Sequence, residues 1–340
     1  MSRSPDEPIT RSLIVPFDMD LIFCGTPDFA VPTLKKLVEA GHNVRLVVTQ
    51  PDRPSGRGQE LTAGPVKKLA QSLRLPIAQP GKIKNNPEFR AQLEELLPAA
   101  IIVVGYGRII PKWMIDLPPH GNINLHGSLL PKYRGAAPIQ WAVACGETVT
   151  GVTTMRIDEG LDTGDILLQR ELAIDPEDTA LTLGPRLAAI GADLMVETLR
   201  GLEAGSIAPR KQDHTEATLA PILKKEDGQI DFNRPANQIF NHLRGFQPWP
   251  GAFTSFRDKN LTLRRAQLAA YGMGPLVPGE MKVAGEDLFL GCGDGTALQV
   301  IELQLEGKRR MSARDFVHGY HPKAGERLGS TEYRVPSTER

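Results

Sequence analysis

From residue 20 the chain alternates short apolar runs with segments whose apolar positions recur every three to four residues. DLIFCG (20–25) predicts a strand. VPTLKKLVEAG, a few residues later, predicts a helix with Val31, Leu34, Leu37 and Val38 on one face and Gly41 closing it. NVRLVVTQ is the next strand. PEFRAQLEELL then sets Phe89, Leu93, Leu96 and Leu97 at helical spacing, and AAIIVVGYG is a continuous apolar run of the kind found in a strand covered on both faces. Strands alternating with helices build a parallel, doubly wound sheet, so the first half is expected to be α/β and Rossmann-like.

The pattern then changes. A long helix around 179–200 carries Leu183, Leu187, Ile190 and Leu194 on one face. The next stretch, GSIAPRKQDHTEATLAPILKKEDG (205–228), has no sustained period and reads as a linker. Beyond it, short runs such as LTLRRAQL and ALQVIELQL, punctuated by Gly and Pro, predict a smaller β-rich domain, a barrel of the OB type. The expected organisation is an extension at 1–18, a catalytic domain at 19–204, the linker at 205–228, a β-rich domain at 229–330 and a tail at 331–340. Nothing before Asp20 has a period, so residues 1–18 read as a flexible extension or as a start placed too early. PDRPSGRGQELTAGP (51–65) is too rich in Pro and Gly for a helix and too long for an ordinary connection; loops of that length are usually functional or disordered.

Composition narrows the class. A chain of 340 residues exceeds one typical domain, and 41% hydrophobic with 24% charged residues is ordinary for a soluble globular protein. Lysine plus arginine equal aspartate plus glutamate at 40 each, so any nucleic-acid site must come from local charge placement. Cys24, Cys145 and Cys292 are odd in number and widely spaced, which argues against a disulfide framework or a zinc site and fits a reducing cytoplasm. No apolar run approaches the roughly 20 residues that span a bilayer.

The candidate chemistry lies in NINLHGSLLPKYRG (122–135). Asn122, Asn124 and His126 alternate with Ile123 and Leu125, so on a strand the polar residues share one face. With a rise of about 3.3 Å per residue, Asn124 and His126 stand roughly 6 to 7 Å apart. Gly127 and Ser128 end the strand, placing the pair at its carboxyl end, where open α/β sheets bind ligands. An amide donor and an imidazole suit a reaction in which negative charge develops on a carbonyl oxygen, as in acyl transfer. RIDEGLDTGDI offers Asp158, Asp162 and Asp165 to orient the histidine. No nucleophile sits on a G-x-S-x-G elbow, so the attacking group is the substrate's own. On spacing alone the histidine also fits a satisfied core residue. CGTPDF also fits a simple turn; lacking G-x-G-x-x-G, it gives little support for a dinucleotide.

FCGTPDFAVPTL, TQPDRPSGRG, INLHGSLLPKYRGAAPIQWA and GVTTMRIDEGLDTGDIL, with GFQPWPGAFTSF and GKRRMSARDF later, resemble the methionyl-tRNA formyltransferase family from about residue 20 to residue 330. The N-x-H-x-S-L-L-P block followed by D-x-x-x-D-T-G marks folate-dependent formyltransferases. The resemblance implies Asn124, His126 and Asp162 as catalytic residues, and Ser128, Leu129, Leu130 and Pro131 as part of the folate-binding segment. It implies 10-formyltetrahydrofolate as formyl donor, no metal, and the methionine of initiator methionyl-tRNA as acceptor. Neither a membrane nor an obligate protein partner is expected. Arg57, at the position of the family's important loop arginine, is expected to reach the tRNA, although Gln59 and Glu60 stand where relatives often carry lysines. Residues 221–330 hold 15 Lys/Arg against 12 Asp/Glu, and the cluster Lys308, Arg309, Arg310 is the expected phosphate contact. Two alternatives use the same Asn, His and Asp: formylation of a small amine, and hydrolysis of formyltetrahydrofolate. The arginine loop and PWPGAF favour tRNA over the first, and the absence of a regulatory domain before residue 20 counts against the second.

Overall fold

Strand β1 (Asp20–Gly25) is buried from Leu21 to Cys24, each with no exposed surface, because apolar residues occupy both of its faces. The computed structural model to which it belongs describes residues 18–55, 60–269, 276–323 and 325–329. It resolves into two units, one formed by Met1–Leu125 with Ala192–Ala208, the other by His126–Gly191 with Pro209–Arg340.

After β1, the first unit runs through α1 (Val31–Glu39), β2 (Asn43–Val48), β3 (Arg53–Ser55), β4 (Glu60–Thr62) and α2 (Pro65–Ser72). It continues with β5 (Ile77–Ala78), α3 (Pro87–Leu96), β6 (Ala100–Val104), α4 (Lys112–Ile115) and β7 (Asn122–His126), whose last residue opens the second unit. Five of its strands pair in the order β5-β2-β1-β6-β7, all parallel. This is the expected α/β sheet. Helix α1 buries Leu34 and Leu37, and Gly41 follows it with φ +91. Helix α3 starts where the Asn86 side chain accepts a hydrogen bond from the Phe89 N–H at 3.0 Å, with Pro87 in the first turn. It buries Phe89 and Leu93, but Leu97, expected on the same face, is 78% exposed. The helix ends one residue earlier, because Pro98 disfavours the α region at Leu97, which adopts φ +44 instead. The long loop is not wholly irregular: Arg53–Ser55 pairs antiparallel with Glu60–Thr62.

In the second unit, α5 (Pro138–Ala144) precedes an antiparallel pair, β8 (Val149–Arg156) and β9 (Ile166–Ala173). Helix α6 (Ala180–Glu203), whose residues from Ala192 on belong to the first unit, buries Leu183, Leu187 and Leu194 as expected, while Ile190 is half-buried. The stretch read as a linker contains only short 3-10 turns, at His214–Glu216 and Lys225–Gly228, yet it is tied down: Ala220 N donates to Arg134 O at 2.7 Å, and Gln212 is buried. Helix α7 (Ala236–Gly245) leads into β10 (Ala252–Phe256), β11 (Lys259–Leu268), β12 (Met281–Ala284), β13 (Asp287–Gly291), β14 (Ala297–Leu305), β15 (Met311–Ser312) and α8 (Ala313–Tyr320). These strands form an antiparallel sheet in the order β10-β11-β14-β13-β12, with β15 on β14. Its core includes Ile239, Leu243, Phe256, Leu263, Leu290 and Phe316. Burying each of these phenylalanine rings contributes on the order of 1.5–3 kcal/mol. Among the described residues, no helix is long and apolar enough to cross a membrane.

Candidate active site

The three polar residues of β7 have three different environments. Asn122 is 1% exposed, and its Nδ2 donates to the carbonyls of Met114 (2.7 Å) and Ile115 (3.1 Å), so it closes the end of α4 and has a structural task. Asn124 is half-buried, and its amide has no hydrogen-bond partner among the described residues. A donor left open at the carboxyl end of a parallel strand is available to a ligand.

His126 is 6% exposed, and its Nε2 lies 2.9 Å from the Tyr133 carbonyl. A carbonyl only accepts, so Nε2 carries the proton of the neutral ring and Nδ1 is left as the acceptor. Nδ1 faces Asp162 Oδ2 at 3.7 Å, too far for a hydrogen bond but close for an ion pair once Nδ1 is protonated. The ring is therefore set to take a proton on Nδ1 and to be stabilised by a carboxylate when it does.

Asp162 lies in the connection between β8 and β9 with φ +51. Its Oδ2 accepts from the Gly135 N–H at 2.8 Å. Gly135 has φ +125, and a Cβ there would lie 2.5 Å from the Ala220 carbonyl oxygen, so only glycine presents its N–H at this place. Of the three aspartates in the turn, Asp162 alone faces His126. Asp158 Oδ1 accepts from Gly160 N (3.0 Å) and Thr163 Oγ1 (2.7 Å), and the Asp165 carbonyl accepts from Arg156 N at 2.9 Å.

Reasoning from sequence missed the groups behind this turn. Gln212 Nε2 donates to the carbonyls of Asp162 (2.9 Å) and Gly164 (2.7 Å), while its Oε1 accepts from Arg134 Nε (3.0 Å) and Nη2 (2.6 Å). Tyr133, whose carbonyl holds His126, is fixed in turn: its N–H donates to Thr218 Oγ1 and its hydroxyl to Glu147 Oε1, both at 2.8 Å. Burial first, and then Glu147, push the Tyr133 phenol well above its usual range, so it stays protonated and donating. No signal in the aperiodic run around Gln212 could have found it.

The segment Ser128–Pro131 divides into buried and presented parts. Ser128 is fully buried; its hydroxyl donates to Lys132 O at 2.6 Å and its carbonyl accepts from Thr153 Oγ1 at 2.7 Å. Leu130 N donates to Thr153 Oγ1 at 3.1 Å, and the Leu130 carbonyl accepts from Gln169 Nε2 at 2.9 Å. Leu129, Leu130 and Pro131 form one wall of a cavity of about 600 Å³, with Tyr133, Val149 and Gln169 also lining it.

Lys308, Arg309 and Arg310 are exposed on the turn after β14, where Lys308 N donates to Leu305 O at 2.9 Å. Arg310 pairs with Glu302 at 3.4 Å. It also lies near enough to Arg264 to add to the effect of burial, the larger cause, in lowering the pKa of that guanidinium. Arg57 lies outside the described residues. Among the described residues, no group of three His, Cys, Asp or Glu side chains is placed to hold a metal ion.

Known proteins resemble this chain along most of its length. The formyl transferase profile matches residues 19–199, and the formyl transferase C-terminal domain profile matches residues 222–321. The chain is 65% identical over 311 residues to a methionyl-tRNA formyltransferase of Koribacter versatilis, spanning 92% of this chain and 99% of that protein. It is 63% identical over 312 residues to one of Acidobacterium capsulatum, spanning 92% of this chain and 100% of that protein. In fold it is similar to WlaRD, a sugar 3N-formyl transferase solved in the presence of dTDP and 5-N-formyl-THF, with a TM-score of 0.63 at 20% identity over 86% of this chain and 99% of that one. That last likeness bears on fold alone. With both profiles matched in order and close identity to these relatives over nearly their whole length, the chain belongs to the methionyl-tRNA formyltransferase family.

Proposed function

We propose that this enzyme transfers the formyl group of 10-formyltetrahydrofolate to the α-amino group of methionine on initiator methionyl-tRNA, in the cytoplasm. The observation that carries the reading is the strand end itself. An open Asn124 amide lies two residues from a buried imidazole whose proton-accepting nitrogen faces a carboxylate.

The donor supplies an activated formyl carbon on a folate nitrogen. Asn124 donates to the formyl oxygen as the amine attacks, when the carbonyl becomes a tetrahedral oxyanion. The α-amino group has an ordinary pKa of about 7.7–8.0, lowered further beside an ester, so neutral amine is present at neutral pH. His126 accepts the amine's proton on Nδ1, and Asp162 stabilises the imidazolium. The new bond joins the methionine nitrogen to the formyl carbon. As the carbon–nitrogen bond to folate breaks, the proton passes from His126 to the departing nitrogen. His126 ends neutral, so no proton is left over.

Leu129, Leu130 and Pro131 also wall a cavity of about 600 Å³, but Asn124, His126 and Asp162 do not line it, so the folate assignment of this segment rests on the family resemblance. Ser128 serves that segment by holding the turn through its hydroxyl. Residues 19–204 would carry the chemistry and 229–330 the tRNA body, with Lys308, Arg309 and Arg310 on phosphate and Arg57 at the acceptor end. The test is formyl transfer by purified protein from 10-formyltetrahydrofolate to initiator methionyl-tRNA, beside free amines and a tRNA-free reaction. Formylmethionyl-tRNA as the dominant product is expected. Equal rates on free amines, or folate release without tRNA at the same rate, would refute the reading.

A further inference from the structure

Asp162 must keep its carboxylate aimed at His126 Nδ1, yet Asp158, which closes the turn by accepting from Gly160 N and Thr163 Oγ1, leaves the Asp162 and Gly164 carbonyls to be held from elsewhere. The turn's carbonyls point to what holds it. Gln212, 6% exposed, gives one N–H each to the Asp162 and Gly164 carbonyls. A primary amide offers two donors on one side and an acceptor on the other, and a partner on the oxygen settles which way it faces. Arg134, also 6% exposed, fixes it with two hydrogen bonds, and its Nη1 donates to His214 Nδ1 at 3.1 Å. A buried guanidinium with neutral partners is costly to keep for packing alone, because an apolar pair of similar volume would serve at least as well. Arg134 is also the residue immediately before Gly135, whose N–H holds Asp162 Oδ2. One peptide thus grips the carboxylate directly and, through Gln212, the backbone on which it stands.

We infer that Gln212, oriented by Arg134, is a positioning residue that sets the distance between Asp162 and His126. The inference rests on the proposed formyl transfer. Its effect is expected in kcat, because the gap between carboxylate and imidazole matters only when the ring is charged. Neither the folate wall nor the exposed basic turn includes this amide.

The test is Gln212→Glu in the full-length enzyme. A carboxylate still accepts from Arg134, so folding is supported, but at neutral pH it cannot donate to the two carbonyls. The expected result is a kcat lower by on the order of tenfold to a hundredfold, with KM for tRNA and for folate within about twofold. A second variant, Gln212→Met, adds no charge and is expected to show the same split, a lower kcat with both KM values unchanged. Thermal melting of both variants separates a positioning loss from unfolding, and if Gln212→Met does not fold, Gln212→Glu decides alone. Wild-type kcat in folded Gln212→Glu, or a loss confined to melting temperature, would overturn the inference. Failure of the wild-type enzyme to formylate methionyl-tRNA would instead refute the reaction itself.

Discussion

Around His126 the polar groups are buried and fixed by named partners: Nε2 on the Tyr133 carbonyl, Asp162 Oδ2 on the Gly135 N–H, and Gln212 bonded on both sides. Around Lys308, Arg309 and Arg310 the side chains are exposed, and Arg310 shares its charge with Glu302 at 3.4 Å. The first region suits chemistry, in which donors must already point at the charge that develops and water must be kept from screening it. The second suits recognition of a polyanion, which acts over a Debye length of about 8–10 Å and tolerates side-chain freedom. Damage to the first should therefore appear in kcat and damage to the second in KM and its salt dependence.

The strongest challenge to that division is His126→Ala or Asn124→Ala. Each is expected to cut kcat by on the order of a hundredfold to a thousandfold, the usual loss for one such group, while KM for tRNA changes little. Steady-state rates at saturating folate check this, and a fall in tRNA affinity of the same size would erase the distinction. The paired change Lys308→Ala with Arg309→Ala is expected to raise KM for tRNA several-fold. It should also reduce the slope of log affinity against log salt by roughly 0.9 for each phosphate that the turn no longer neutralises, with kcat unchanged. An unaltered slope would mean that the turn is simply solvated.

The smallest expected effect is that of Glu326→Gln, a control for a surface ion pair that serves stability alone. Glu326 accepts from Arg257 Nε at 2.9 Å, and this bond is the main cause that holds its carboxyl below the usual range. A depressed carboxylate pKa stabilises the fold above its unfolded value, and that contribution is lost as pH falls through the folded value. Because the Arg257 side chain is 46% exposed, the pair contributes only about 0.2–1 kcal/mol. Urea unfolding should show the variant less stable by that amount at neutral pH, with the difference vanishing in acid. Formylation kinetics should not move.

Much of the fold was legible because burial leaves simple patterns. β1, β2 and β6 are apolar runs, and α1 and α6 keep a helical period. The candidate site was legible where chemistry breaks such a pattern, as Asn124 and His126 do between Ile123 and Leu125. Asn122 looked the same and proved to close a helix end, because alternation reports which face a side chain takes and not what waits there. Asp162 could be separated from Asp158 and Asp165 only by the resemblance, since turn geometry decides which carboxylate reaches the ring. Gln212 was hidden for a different reason: it acts through two carbonyls far away in sequence, and no local period records such a bond.

The central claim is that the strand end performs formyl transfer to methionyl-tRNA while the basic turn only holds the tRNA. Single-turnover transfer from 10-formyltetrahydrofolate to initiator methionyl-tRNA, at enzyme concentrations that saturate the tRNA, tests it most directly. The account predicts rapid formation of formylmethionyl-tRNA by the wild type, the same rate for the Lys308 and Arg309 double variant, and a rate lower by on the order of a hundredfold or more for His126→Ala. A double variant that stays slow at saturation, or a His126→Ala enzyme that matches the wild type there, would contradict it.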